Sequence, residues 1–152
     1  MNLHEVYTGL GEERFRELMA SVSMGSLRTY KLFETVKIRA RLSKLNRAKL
    51  RQGTPKLWTR LADGDEDLAK DLAQAVLVSH LEFVVAALDF LGISHDGNGF
   101  FDKDDEAEAK LDDGWQKRTH EKFRESYAES LVLFYINHLD LELGSPDSVF
   151  TG

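Results

Sequence analysis

The stretch DEDLAKDLAQAVLVSHLEFVVAALDFL, residues 65–91, decides the fold class. Its apolar residues recur every three to four positions, the spacing of a helix, and nowhere alternate strictly as a half-buried strand would. Asp65 is placed to cap the N-terminus, and Glu66 and Asp67 suit the positive end of the helix dipole. From Ala75 to Leu91 only Ser79, His80, Glu82 and Asp89 are polar. At about 100° per residue, Asp71, Val78, Glu82 and Asp89 share one narrow stripe, the face expected to reach water. The stretch is expected to form one long helix, the most buried of the fold.

Helical spacing continues on both sides. A first helix is expected over 12–22, broken at Met24-Gly25. Ser26 can cap a long second helix over 27–52, with Gly53 ending it and Thr54-Pro55 restarting a short one, proline at its first position. Downstream, the acid-rich run 102–113 reads as a shorter helix ended by Gly114. A last helix starts near Trp115 or Thr119 and runs to about Leu143. Its stripe His120, Phe123, Tyr127, Leu131, Phe134, His138 is expected to face the core. The tail 144–152 is expected to be loose. The fold class is therefore all-α: a single domain, 1–152, built as a compact bundle of five to six helices, three of them long.

At 152 residues the chain is long enough for a real core. It contains no cysteine, which excludes disulfides, thiolate metal sites and a cysteine nucleophile. The longest unbroken apolar runs, FVVAAL (83–88) and LVLFYI (131–136), are far short of the ~20 residues of a membrane span. No basic-then-apolar signal segment is read at the N-terminus, so the expected setting is cytoplasmic, with no membrane partner.

Charge is divided unevenly. Residues 26–60 carry a net charge of +10 and residues 61–113 a net of −12, within an overall −6. The basic residues spread around most of a helical circumference, and the sequence pI is only 5.4. Pairing with the acidic third is the favoured role for them, and a nucleic-acid partner is not expected.

One loop approaches a chemical motif. In SHDGNGFFDKDD (94–105), Asp96, Asn98, Gly99, Phe101, Asp102 and Asp105 fall at positions of a calcium-binding loop, with Asp96 as its third residue. Ser94 is a weak first ligand, and Asp105 is one methylene shorter than the glutamate that normally closes the shell. Asp96-Gly97 and Asn98-Gly99 are strong turn formers, and Asp102 is placed to cap the next helix. The loop is read as a turn, with Asp96, Asn98, Asp102 and Asp105 as weak candidate metal ligands; no metal or cofactor is expected.

His80, set opposite the polar stripe amid apolar residues, is expected to be buried and neutral. His80, His120 and His138 face inward, yet no Glu-x-x-His pair and no HExxH motif accompanies them. His80, Glu82, Asn137, His138 and Glu142 are the candidates for a ligand or cofactor site, with Phe83, Phe134 and Tyr135 as its lining. No nucleophile elbow, P-loop or dinucleotide fingerprint is present. The expected function is a non-enzymatic helical domain that binds a protein partner or itself. The rival is a small-molecule- or metal-binding bundle, an enzyme among its possibilities, using the histidine and carboxylate set.

Overall fold

The computed structural model describes residues 1–23, 47–144 and 146–152, and side chains at all of these except 47–52. Among the described residues the chain is all-helical, with no strand and eight helices. They are α1 (Leu3–Leu10), α2 (Glu12–Ala20), α3 (Arg47–Ala62), α4 (Glu66–Ser79), α5 (Leu81–Leu91), α6 (Asp105–Ala109), α7 (Trp115–Phe123) and α8 (Glu129–Leu143). The all-α expectation holds; the count of five to six does not. The greater part of the expected helix 27–52, and with it most of the basic third, lies outside the described residues.

Each departure has a local cause. Arg47–Ala62 runs as one helix straight through Gly53 and Pro55, where an end and a restart were expected. Proline removes a backbone donor and crowds the preceding turn, and burial of the apolar Leu61 on the same helix works against that cost. The expected long helix from Asp65 to Leu91 is two helices, because His80 leaves helical geometry (φ −132°, ψ 40°). Ser79 Oγ donates back to the Ala75 carbonyl at 2.7 Å and accepts from Ser23 N at 2.7 Å, while His80 Nε2 meets Ser21 Oγ at 2.9 Å. Polar contacts to the end of α2 thus compete with the helix. The expected last helix is likewise divided at residues 124–128, a turn closed by Ser126 N and Tyr127 N onto the Phe123 carbonyl. The turn lets the Tyr127 ring reach Phe83, with centroids 4.8 Å apart. Asp104, not Asp102, caps α6, its side chain accepting from Ala107 N at 2.9 Å. Gly114 does not end a helix but precedes α7 with φ 79°, a left-handed conformation that favours glycine.

The contacts gather into two compact units, Leu3–His80 and Met1–Asn2 with Leu81–Gly152. In the first, α1 packs on α2, α3 and α4. Its core joins Val6, Tyr7, Phe15, Leu18, Met19, Leu61, Leu68 and Leu72, with Tyr7 and Phe15 edge to face at 5.6 Å. The Tyr7 hydroxyl donates to the Ala69 carbonyl at 3.3 Å, and burial raises its pKa well above the ordinary tyrosine value.

In the second unit α7 packs on α5 and α8. Every residue from Ser130 to Asn137 is buried, so α8 rather than residues 75–91 is its most enclosed element. Phe83 stands at the centre of an aromatic cluster with Phe123, Tyr127 and Tyr135. No single described helix is long and apolar enough to cross a membrane.

Candidate functional site

The loop 94–101 is held by its own side chains. Asp96 Oδ1 accepts from Asn98 N at 2.8 Å and Phe100 N at 3.1 Å, and Asp96 N donates to the Phe100 carbonyl at 3.0 Å. His95 Nδ1 accepts from Gly97 N at 3.0 Å, and its Nε2 lies 2.7 Å from Asp89 Oδ1, on the last turn of α5. Gly99 sits against α5 with φ 88°, where an added Cβ would come within 2.8 Å of Val84 Cγ1. One oxygen of Asp96, Oδ1, is thus engaged by two backbone donors of its own turn. Among the described residues, no three His, Asp or Glu side chains converge as metal ligands would. Asp96, Asn98, Asp102 and Asp105 are all exposed. What the loop displays is apolar: Phe100 is 73% exposed, more than any other large hydrophobic residue described, and Phe90 at the end of α5 is 42% exposed.

The candidates for a histidine and carboxylate site are divided between the two units. His80 belongs to the first unit; Glu82, Asn137, His138 and Glu142 belong to the second. His80 is half-buried and bonded to Ser21, and desolvation lowers its pKa, the direction expected. Glu82 is exposed. Asn137 is fully occupied by backbone: its Nδ2 donates to the Leu133 and Phe150 carbonyls, and its Oδ1 accepts from Phe150 N at 2.8 Å. The C-terminal residues, read above as a loose tail, are thus tied to α8 at Phe150. Phe83, Phe134 and Tyr135 are core residues, and burial raises the Tyr135 pKa.

His138 and Glu142 do meet, one turn apart on α8, with Nε2 3.8 Å from Oε1. The other Glu142 oxygen is ion-paired with Lys103. His138 Nδ1 is covered and has no hydrogen-bond partner. Desolvation, with Lys103 adding to it, lowers the His138 pKa to about 4, so the ring is neutral at pH 7.

Two further polar arrangements escaped the sequence. Glu66, the first residue of α4, accepts from Leu3 N at 2.8 Å and His4 N at 3.0 Å, and its Oε2 lies 2.7 Å from His4 Nδ1. One carboxylate therefore caps α1 from another helix. Burial favours its neutral form, but the hydrogen bonds from His4 and Leu3 outweigh it, and the Glu66 pKa is lowered. Its acidity was visible in the sequence; its target was not, because α1 itself went unread. In the second unit Gln116 Nε2 donates to Asp140 Oδ2 at 2.6 Å. Nothing in a 24-residue separation signals that pair.

No protein-family model, curated protein or solved structure matches this chain.

Proposed function

We propose that this chain is a non-enzymatic helical binding domain that associates with protein through the loop displaying Phe100, a second copy of itself being the first partner to test. The observation that carries the reading is that Phe100 is both exposed and presented by an ordered loop. A single exposed apolar side chain is ordinary on a protein surface, and the order of the backbone beneath it is what sets this one apart. Here Asp96, His95 and Gly99 have already fixed the backbone, so association would lose little conformational entropy in ordering it. Aromatic anchors ringed by polar residues are the usual centres of protein interfaces. Asp96, Asp102, Asp104 and Asp105 surround the anchor in sequence and are exposed. The matching charge is present in the chain itself, as the net +10 of residues 26–60. A cytoplasmic setting is part of the same proposal; a membrane or nucleic-acid partner is not.

Sedimentation equilibrium over a wide range of protein concentration tests it. Wild type is expected to self-associate, more weakly at higher salt, and Phe100→Ser to weaken association by about tenfold or more. A chain that stays monomeric throughout, or a Phe100→Ser variant that associates equally well, would overturn the proposal.

One observation favours the rival reading, a small-molecule site at His138 and Glu142: the unpartnered Nδ1 of His138. A ligand donating a hydrogen bond there would satisfy it. Ring-nitrogen shifts of His138 on ligand addition are the measurement that would support this second reading.

A further inference from the structure

A separate groove of about 480 Å³ opens in the C-terminal unit, lined by Gln116, Asp140 and residues 146–152. That volume lies within the ~300–1,000 Å³ of small-molecule sites. The walls are set by specific bonds. Asn137 holds the backbone of Phe150 at both its N–H and its carbonyl, and the Phe150 ring packs edge-on to His120 with centroids 6.1 Å apart. Asp140 is oriented through Oδ2 by the Gln116 amide, 2.6 Å away. Its Oδ1 lies over Gly144, where a Cβ would come within 2.9 Å of it, so glycine leaves room for the carboxylate. Gly144 N also donates to the Asp140 carbonyl at 2.7 Å, which fixes the end of α8 beneath it.

The charge in this groove is one-sided. Its described lining contains two carboxylates, Asp140 and the exposed Asp147, an aromatic ring, and no lysine or arginine. Asp140 is half-buried, and desolvation raises its pKa, with the Gln116 bond opposing. A partly desolvated carboxylate without a cation beside it gains from an incoming positive charge. Phe150, whose ring belongs to a residue lining the same groove, suits an organic cation better than a hydrated metal ion.

We propose that this groove is a binding site for a small organic ammonium, with its N–H groups donating to the free Oδ1 of Asp140, its alkyl part on Phe150, and Asp147 adding long-range attraction. Gln116 is a positioning residue that orients the carboxylate.

The test uses butylammonium chloride as the probe, n-butanol as its neutral counterpart and sodium chloride at equal ionic strength as the blank, followed by NMR of the full chain. Butylammonium is expected to give saturable shifts at the Gln116 side-chain amide and the Phe150 backbone amide. Butanol and sodium chloride should give none. Asp140→Asn is expected to weaken binding by about tenfold or more, the loss of a charged hydrogen bond. Asp147→Asn, at an exposed position, should weaken it by about two- to threefold. Affinity should also fall as pH is lowered through the Asp140 titration, because only the carboxylate attracts the ligand. Shifts equal to those of butanol or salt, or affinity unchanged in both variants, would overturn the proposal. The wild-type comparison of butylammonium with butanol decides the matter even if Asp140→Asn fails to fold.

Discussion

Among the histidine–carboxylate contacts, one clasp from each unit can be compared, and the two do opposite things with the order they create. In the N-terminal unit Glu66 reaches back to His4 and the first donors of α1, and the result is inward: α1 is fixed over a core containing Val6, Tyr7 and Leu10. In the C-terminal unit Asp89 holds His95 at the same 2.7 Å separation, and the result is outward: a fixed loop carrying an exposed Phe100. Order that seals a core is explained by the stability it brings. Order that holds a large apolar side chain in water is not, and the binding reading rests on that difference.

The largest expected effect comes from breaking the inward clasp. Glu66→Ala strands two backbone donors at the start of α1 and removes the His4 contact, so a loss of about 3 kcal/mol is expected in chemical denaturation. Because the folded pKa of Glu66 is lowered, its contribution is present above the unfolded value of about 4.3 and is lost as pH falls through the folded one. A variant within about 0.5 kcal/mol of wild type would show that the clasp does not hold the helix.

His138 sharpens the comparison, because it too lies near a carboxylate yet is not clasped. Lys103 takes Glu142, and the ring stays neutral. With a folded pKa of about 4 and an unfolded one of about 6.5, the unfolded chain takes up the proton first. Stability should therefore fall as pH drops between those values, by about 3 kcal/mol, and His138→Gln should abolish that component. An imidazole NMR titration should place the midpoint near 4 in wild type and higher in Lys103→Gln, which removes a repelling cation and frees Glu142. A wild-type midpoint near the ordinary value of about 6.5 would contradict the account.

The outward clasp should be cheap to disturb. Gly99→Ala places a side chain at φ 88° against Val84, and the expected loss is about 1–2 kcal/mol, together with weaker self-association. Loss of stability with undiminished association would separate the loop's geometry from binding.

Helix identity was legible where apolar spacing was strong, and the cap at Asp65 was read correctly, its side chain accepting from Leu68 N. The breaks were not legible. His80 and the 124–128 turn interrupt runs whose spacing still looks helical, because the competing bonds come from Ser21 and Ser23 in one case and from aromatic packing in the other. The same limit applies to the sites. The turn at Asp96 follows from neighbours in sequence and could be read there. Asn137 with Phe150, Glu66 with His4, and Gln116 with Asp140 join residues 13 to 62 positions apart, and no local periodicity reports such pairs. Desolvation of His80 and His138 was anticipated, but the half-exposure of His80 and the membership of the two in different units were not.

The most direct measurement of the binding proposal is the change in backbone amide NMR positions on dilution of the wild-type protein. If Phe100 anchors self-association, the amides of Gly97 to Phe101 should move progressively on dilution, while those of the α1–α4 clasp, Leu3 and His4, stay fixed. Phe100→Ser should remove the concentration dependence at the loop. Loop amides that do not move over a range in which sedimentation shows association would place the interface elsewhere and contradict the account.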